Sequence, residues 1–479
     1  RWIWNRRGRK LIVAMSSPKE TREEGVNLQL VGDSEKGTYK NSVHHEDGES
    51  SPLSTEDYDP HLHRNVPHPT SNMETLVHIL KGSLGTGILA MPEAFANSGY
   101  VSGFINTIII GALCTYCLHI LVRTQYIICK RNRLPILTFP ASMQMALEQG
   151  PKPLRRYAKA SAIIVDVFLI IYQLGICCVY IVFVATNIKQ LIDYYWVDFD
   201  VKLHMLILLL PLIGLNCIRN LKVLAPFSSF ANVITFVGLG LILTYILEDM
   251  AGPSARQAFA PIGKFPLFFG TVLFALEAVG VVIAVENNMK TPKSFGGYFG
   301  VLNIGMFVIT ILYAIIGFLG YLKYGADAKG SITLNIPQMD PTAQAITIIF
   351  AVAIFISYGL QCYVPVEIIW NQYLLKRFED SPRKLAWEFA TRIVVVIMTF
   401  LLAVAIPRLG LFISLFGALC LSALGLAFPA IMEICVLWPD KLGPGRFVLY
   451  RDIALIIFGI VGLVAGTYVS VRDIILSFM

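Results

Sequence analysis

From about Glu74 onward the chain runs through apolar blocks of roughly 20 residues, parted by short connections that carry Lys, Arg, Pro or Gly. Twenty residues of helix rise about 30 Å, the thickness of a bilayer's hydrocarbon core. Reading each block between its bounding charges predicts about eleven transmembrane helices. They run approximately Glu74–Asn97, Val101–Thr124, Ala158–Leu191, Leu203–Cys217, Val223–Leu247, Leu267–Val285, Phe299–Leu322, Thr342–Tyr363, Glu388–Ile406, Leu409–Leu437 and Val448–Val471. The fourth is short, and the third is long enough to tilt or to extend past the bilayer.

Ahead of these blocks, Ser16 to Thr70 is rich in Ser, Pro, Asp, Glu and His and has no apolar periodicity, so it reads as a disordered tail. The stretch before Met15, RWIWNRRGRKLIVA, is set aside as upstream or added sequence; its apolar run is too short for the core of a signal peptide. The expected organisation is a cytoplasmic N-terminal tail over 1–70, a membrane domain over 71–473 and a short C-terminus over 474–479.

Composition sharpens this picture. With 55% hydrophobic and 15% charged residues in 479, the chain lies far from the average soluble domain and is an all-α polytopic membrane protein. A net charge of +7 placed beside the blocks excludes a nucleic-acid-binding face. Counting Lys and Arg in the connections gives about 18 on the side of the N-terminal tail against 8 on the other. The tail is therefore expected inside and the C-terminus outside or lumenal. The nine cysteines lie within or next to blocks, so no disulfide framework is expected; Cys114 and Cys117 form a CxxC mid-block with no second ligand pair and read as packing thiols. His44, His45, His61, His63 and His68 cluster in the tail without cysteines or regular spacing, which argues against a metal site. No cofactor motif is present.

The candidate chemistry lies where helix is hardest to form. Gly82, Gly85 and Gly87 fall within six residues of the first block, in HILKGSLGTGILAMP, and each lowers helix propensity by about 1 kcal/mol relative to Ala. A break there frees N–H groups at the start of a second half-helix, whose dipole favours an anion such as a carboxylate. Ser83 and Thr86 flank the glycines. The sixth block, FFGTVLFALEAVGV, holds Glu277 deep in apolar sequence, with Phe274 before it and Gly280 after it. A carboxylate inside a membrane is costly and points to function. The first and sixth blocks are five apart, the spacing of a five-plus-five inverted repeat with broken helices 1 and 6 meeting at the midplane. Free N–H groups of the first helix would hold the carboxylate of a zwitterion, and Glu277 with loosened carbonyls its ammonium. For coupling to an ion, His78 sits beside the break and titrates near neutrality. Asp166 in the third block is a second candidate, with no break beside it. Glu286, Glu367, Arg392 and Glu433 lie near block ends and are expected to be paired or interfacial.

At these residues the chain resembles the proton-coupled amino acid transporters, a branch of the amino acid/auxin permease family, insect members in particular. The resemblance spans roughly Thr75 to Tyr468 and includes HILKGSLGTGILAMPEAF (78–95), QLGICCVYIVF (173–183), FFGTVLFALEAVGVVIAVENNMKTPKSF (268–295), GSITLNIP (330–337), YVPVEII (363–369) and IPRLGLFISLFGAL (406–419). It implies the inverted-repeat fold, import of small neutral amino acids with protons, and a coupling role for His78. Residence in the plasma membrane, in endosomes and lysosomes, or in both is compatible with it. Vertebrate members of the family are braced by a disulfide between outer loops, but 189–202 and 322–341 carry no cysteine here, so that brace is not expected. A second function class is an amino acid sensor that signals through a partner of its tail. An enzyme is not expected, because no nucleophile, metal or phosphate motif accompanies the blocks.

Overall fold

The computed structural model describes residues 58–67, 69–196, 198–219, 221–248, 252–276, 279–379 and 381–479. Among them, nine helices are long and apolar enough to cross a membrane. The fourth block forms a shorter apolar helix, Val201–Asn216, and the first forms two halves, Asn72–Ser83 and Thr86–Ser98; together they bring the spans to eleven. The sixth span is described as Phe265–Leu276 and Val279–Asn287, on either side of Glu277 and Ala278, which lie outside the described residues.

The second half of the first span is the centre of the bundle. Ile88, Leu89, Ala90 and Met91 are inaccessible, enclosed mainly by the sixth and seventh spans. Small residues let these helices close in: a Cβ placed on Gly317 of the seventh span (Val301–Tyr324) would lie 2.4 Å from the ring of Phe95. The third span, Ala158–Tyr195, packs along the eighth, which begins as Pro341–Glu367. The eighth continues as π-helix over Ile368–Leu374, and the tenth is π-helical over Gly417–Ala427 between two α-helical ends. The second run lies inside a block read as one helix and the first lies past Tyr363, where the eighth block was expected to end, since hydropathy records apolar length and not hydrogen-bond register.

The structure departs from expectation at two connections. Residues 58–67 and 69–70, read as the end of a disordered tail, are seated on the ends of the second and sixth spans. The Arg64 guanidinium donates to both carboxylate oxygens of Glu286 at 2.9 and 3.1 Å, and its Nη1 also donates to the Glu286 carbonyl. Lys293 pairs with Asp59 at 3.0 Å, and Thr70 exchanges backbone hydrogen bonds with Asn288 and Lys290. His61 stacks on Tyr126 at 4.8 Å and His63 bonds the Asp59 carbonyl, while His44, His45 and His68 lie outside the described residues. Local polarity hid this docking, because its partners lie more than 200 residues away in sequence. A helix over Phe139–Gln149 also fills the connection between the second and third spans and packs on the third. On the opposite side the third span is tied to the loop after the seventh and to the start of the eighth by hydrogen bonds. Gln190 donates to the carbonyls of Leu334 and Ile336 at 3.3 Å, and Tyr195 donates to Gln344 at 2.7 Å.

Candidate substrate site at the interrupted first span

The first half-helix begins on a capping box: Ser71 Oγ accepts from the Glu74 N–H at 3.3 Å, and Glu74 accepts from the Ser71 N–H at 2.7 Å. It ends at Leu84, whose φ of −79° and ψ of 93° leave the helical region. Gly85 follows in extended backbone, and the second half starts at Thr86. Gly85 occupies the capping position and has no side-chain oxygen to offer. Among the described residues no side chain caps the first N–H groups of the second half, at the end of a helix whose dipole favours an anion.

Side chains around the break strengthen the polarity. Ser83 Oγ and Thr86 Oγ1 are buried and meet no hydrogen-bond partner among the described residues. Two buried hydroxyls left unpaired beside open backbone donors mark a place built for a polar occupant. Tyr313 of the seventh span donates to the Ser83 carbonyl, claiming one acceptor of the first half. Tyr180 of the third span brings its hydroxyl to 3.4 Å from where a Gly85 side chain would begin. Sequence reasoning passed over both tyrosines; the available signal was a phenol in an apolar helix, which seeks a polar partner when buried.

The sixth span meets the break from the other side. A Cβ on Gly87 would lie 2.6 Å from the Cα of Ala275, and one on Gly82 would lie 2.8 Å from the Val281 side chain. Phe274, next to Ala275, is buried and meets the Tyr172 ring edge-on at 6.2 Å. Gly82, Ser83, Gly85, Thr86 and Gly87 therefore share one locus with Phe274 and Gly280, the neighbours of the two contact residues. The remaining residue expected there, Glu277, lies outside the described residues.

Accessibility is lopsided about this locus. Thr86 to Pro92 and Leu267 to Leu276 are buried, whereas Gly82 and Gly280 are exposed and His78 and Lys81 are partly so. His78, Lys81 and Gly82 share a helix face, and Gly82 turns that face toward Val281. The locus is buried on the side of Thr86–Ser98 and Phe265–Leu276 and more accessible on the side of Asn72–Ser83 and Val279–Asn287. His78 lies seven residues before Gly85, about 10 Å along the helix, and none of the described residues hydrogen-bonds its ring. Asp166 is elsewhere: it accepts from the Tyr373 hydroxyl at 3.1 Å near the π-helical end of the eighth span. Tyr180 is fourteen residues further along the same helix, about 21 Å from Asp166.

Of the charged groups expected at span ends, Glu286, Arg392 and Glu433 are paired, while Glu367 has no ion pair among the described residues. Glu286 is held by Arg64, Glu433 by Arg451, and Glu388 by both Arg219 and Arg392. In the docked N-terminal segment, burial lowers the His61 imidazole to about 4, with Arg64 and Lys293 pushing the same way and Asp59 opposing them. Burial pushes the Asp59 carboxyl up, but Lys293 and the His61 N–H outweigh it and hold it below its ordinary value.

Comparison with known proteins agrees with this architecture. The chain is 40% identical over 428 residues to the proton-coupled amino acid transporter-like protein pathetic of Drosophila melanogaster, covering 89% of this chain and 90% of that one. It is 27% identical to amino acid transporter AVT3C of Arabidopsis thaliana, over 85% and 92% of the two chains. Among solved structures it resembles Mhp1, a nucleobase-cation-symport-1 family transporter in a closed conformation with bromovinylhydantoin bound. That match has a TM-score of 0.51 at 13% identity and covers 88% of this chain and 95% of that one, so it speaks for the fold alone. Residues 68–472 match the family described as transmembrane amino acid transporter protein; the chain belongs to that family and is an integral membrane transporter of amino acids rather than an enzyme.

Proposed function

We propose that the protein is a symporter that carries small neutral amino acids together with protons toward the cytosol by alternating access. The observation that carries this reading is the uncapped start of the second half-helix at Gly85–Thr86, with the unpartnered hydroxyls of Ser83 and Thr86 beside it. These donors suit the carboxylate that every amino acid presents, while Glu277 and the sixth span take the ammonium. Crowding by Phe274, Tyr180 and Ala275 favours small side chains. The relative named as proton-coupled supports protons as the driving ion, and His78, on the accessible face of the first half-helix, is the group that loads and releases them. Asp166 is a secondary proton site, reached from the membrane side that carries the N-terminal segment.

The excess of Lys and Arg puts that side in the cytoplasm and the C-terminus outside or in a lumen. The locus is then open to the cytosol and closed outward, one end state of an alternating cycle. The membrane of residence is the plasma membrane or that of the endosome and lysosome.

Uptake of labelled alanine, proline and glycine into cells expressing the protein tests this. It should rise as outside pH falls from about 7.5 to 5.5, the range in which an imidazole loads. His78→Ala should flatten the profile while leaving amino acid binding in place. A flux that follows sodium and ignores pH removes the proton reading. A sensing role is favoured by one observation, the seating of residues 58–67 and 69–70 on the ends of the second and sixth spans, which links the tail to the half-helices beside the break. Deleting residues 16–57 separates the two readings, since transport survives if the tail serves only a signalling partner.

A further inference from the structure

Away from the substrate locus, a cavity of about 300 Å³ opens where the eighth span meets the ninth (Lys384–Ala405) and the end of the fourth. Three cations border it, Arg219, Lys384 and Arg392, against two carboxylates, Glu367 and Glu388. Much of that charge is already matched. Glu388 accepts from Arg219 at 2.9 Å through both oxygens and pairs with Arg392 at 3.3 Å. Arg392 also donates to the Asn216 carbonyl at 3.1 Å and lies over the Tyr363 ring.

Two members of the wall are unmatched. Neither the Lys384 ammonium nor the Glu367 carboxylate has a hydrogen bond or ion pair among the described residues. Arg219 adds an accessible edge, its side chain being 52% exposed. The cavity therefore offers a cationic rim, a separate anionic point and a surplus of one positive charge. A headgroup with a phosphate, a second anionic group and an ammonium is its electrostatic complement.

The surroundings decide where such a group comes from. Trp370, on the cavity wall, stacks at 6.3 Å on Phe378, which stacks at 4.7 Å on Trp387. Trp387, Leu385 and Tyr373 are exposed, so this aromatic wall runs from the cavity to the outer surface of the bundle. Aromatic rings at a span end beside Lys376, Arg377 and Arg383 are the dress of a membrane–water interface. Basic pockets between helices on the cytoplasmic side bind anionic headgroups. The π-helical turn of the eighth span, Ile368–Leu374, carries Trp370 and Asn371 into the lining, a use such turns often serve.

We propose that this cavity binds the headgroup of an amino-phospholipid of the cytoplasmic leaflet, phosphatidylserine in its simplest form. The phosphate and carboxylate face Lys384 and the open edge of Arg219, the ammonium faces Glu367, and the acyl chains leave along Tyr373, Leu385 and Trp387. The site rests on the orientation given under Proposed function, but its binding test does not use transport. Failure of proton coupling would leave it standing, and its own failure would leave the transport reading intact.

The test uses the full chain, purified and placed in nanodiscs of phosphatidylcholine doped with phosphatidylserine or phosphatidylglycerol. Lipid retention is read by native mass spectrometry and thermal stability alongside it. Phosphatidylserine should be retained and should raise the melting temperature above that in phosphatidylcholine alone. Lys384→Gln should weaken phosphatidylserine about tenfold, the loss of one charged hydrogen bond. Glu367→Gln should erase the preference for phosphatidylserine over phosphatidylglycerol, which lacks the ammonium. Because neither side chain pairs with a described residue, both variants should melt with wild type in phosphatidylcholine alone. Equal retention of phosphatidylserine and phosphatidylcholine by wild type, or variants that bind like wild type, would overturn the proposal. So would free serine or glycerophosphoserine binding as tightly as the intact lipid, which would make the ligand a soluble one.

Discussion

Gly87→Ala is the sharpest perturbation the substrate locus offers. The added carbon would sit 2.6 Å from the Ala275 Cα, 3.0 Å from its Cβ and 3.3 Å from its nitrogen. Two of those atoms are backbone and cannot rotate aside, so the first and sixth spans must part by about an ångström in a close-packed region. Overpacking of this kind costs about 1–3 kcal/mol, while the helix-propensity gain of Ala over Gly returns at most about 1. A penalty of 1–3 kcal/mol on the closed arrangement changes its population about 5–150-fold. Two other glycines supply controls on the same pair of spans. At Gly85 the new carbon would meet only the Tyr180 hydroxyl, at 3.4 Å, and the φ of −136° is extended backbone that any residue adopts. A Cβ on Gly280 would meet no described atom within 4 Å. Surface-normalised uptake and melting of the purified variants should therefore split three ways. Gly87→Ala should lose most uptake and melt lower, Gly85→Ala should melt like wild type, and Gly280→Ala should melt like wild type while favouring glycine over proline. A Gly87→Ala protein with unchanged uptake and melting, or a Gly280→Ala protein as damaged as it, would show that the two spans do not meet as described.

The docked N-terminal segment and the unpaired hydroxyls give three more expectations. Arg64→Ala leaves Glu286, whose side chain is 5% exposed, without its cation, which should cost about 3–5 kcal/mol; adding Glu286→Gln should recover part of the melting temperature, and no recovery would mean that the pair is not the latch. His61 titrates near 6.5 when released and near 4 when docked, so the docked form binds fewer protons; docking keeps its full strength above about pH 6.5 and weakens as pH falls toward 4. Limited proteolysis of residues 58–70 should accordingly speed up between about pH 7 and 5, with His61→Gln removing the trend, and cleavage rates alike in the two proteins would count against it. Ser83→Ala and Thr86→Val remove hydroxyls that bond nothing among the described residues, so melting should hold while the KM for alanine rises about tenfold; lower melting with unchanged KM would make them packing residues.

The spans were legible because a membrane imposes one length and one polarity on every helix that crosses it, and the chain obeys both from Glu74 onward. The break was legible for a related reason: three glycines in six residues defeat a helix where only helix is otherwise allowed. Register was not legible. A π-helical turn and an α-helical one contain the same apolar residues, so the turns at Ile368–Leu374 and Gly417–Ala427, and with them the charged cavity beside Trp370, left no mark on the hydropathy pattern. Pairing over long separations was not legible either. Arg64 and Glu286 are each ordinary in their own surroundings, and only their juxtaposition turns part of a polar tail into a strap across the ends of the second and sixth spans.

That juxtaposition bears on how the protein moves. The first half-helix follows the strap directly through Ser71, and the second half of the sixth span ends at the residues that the strap grips, Glu286 and Asn288. These two half-helices flank the accessible side of the substrate locus, so any closing of that side must carry the strap with it or break the Arg64–Glu286 pair. Under the alternating-access cycle proposed above, a charged pair at the base of these two half-helices, rather than the glycines at their tips, is then where the balance between the open and closed arrangements is set.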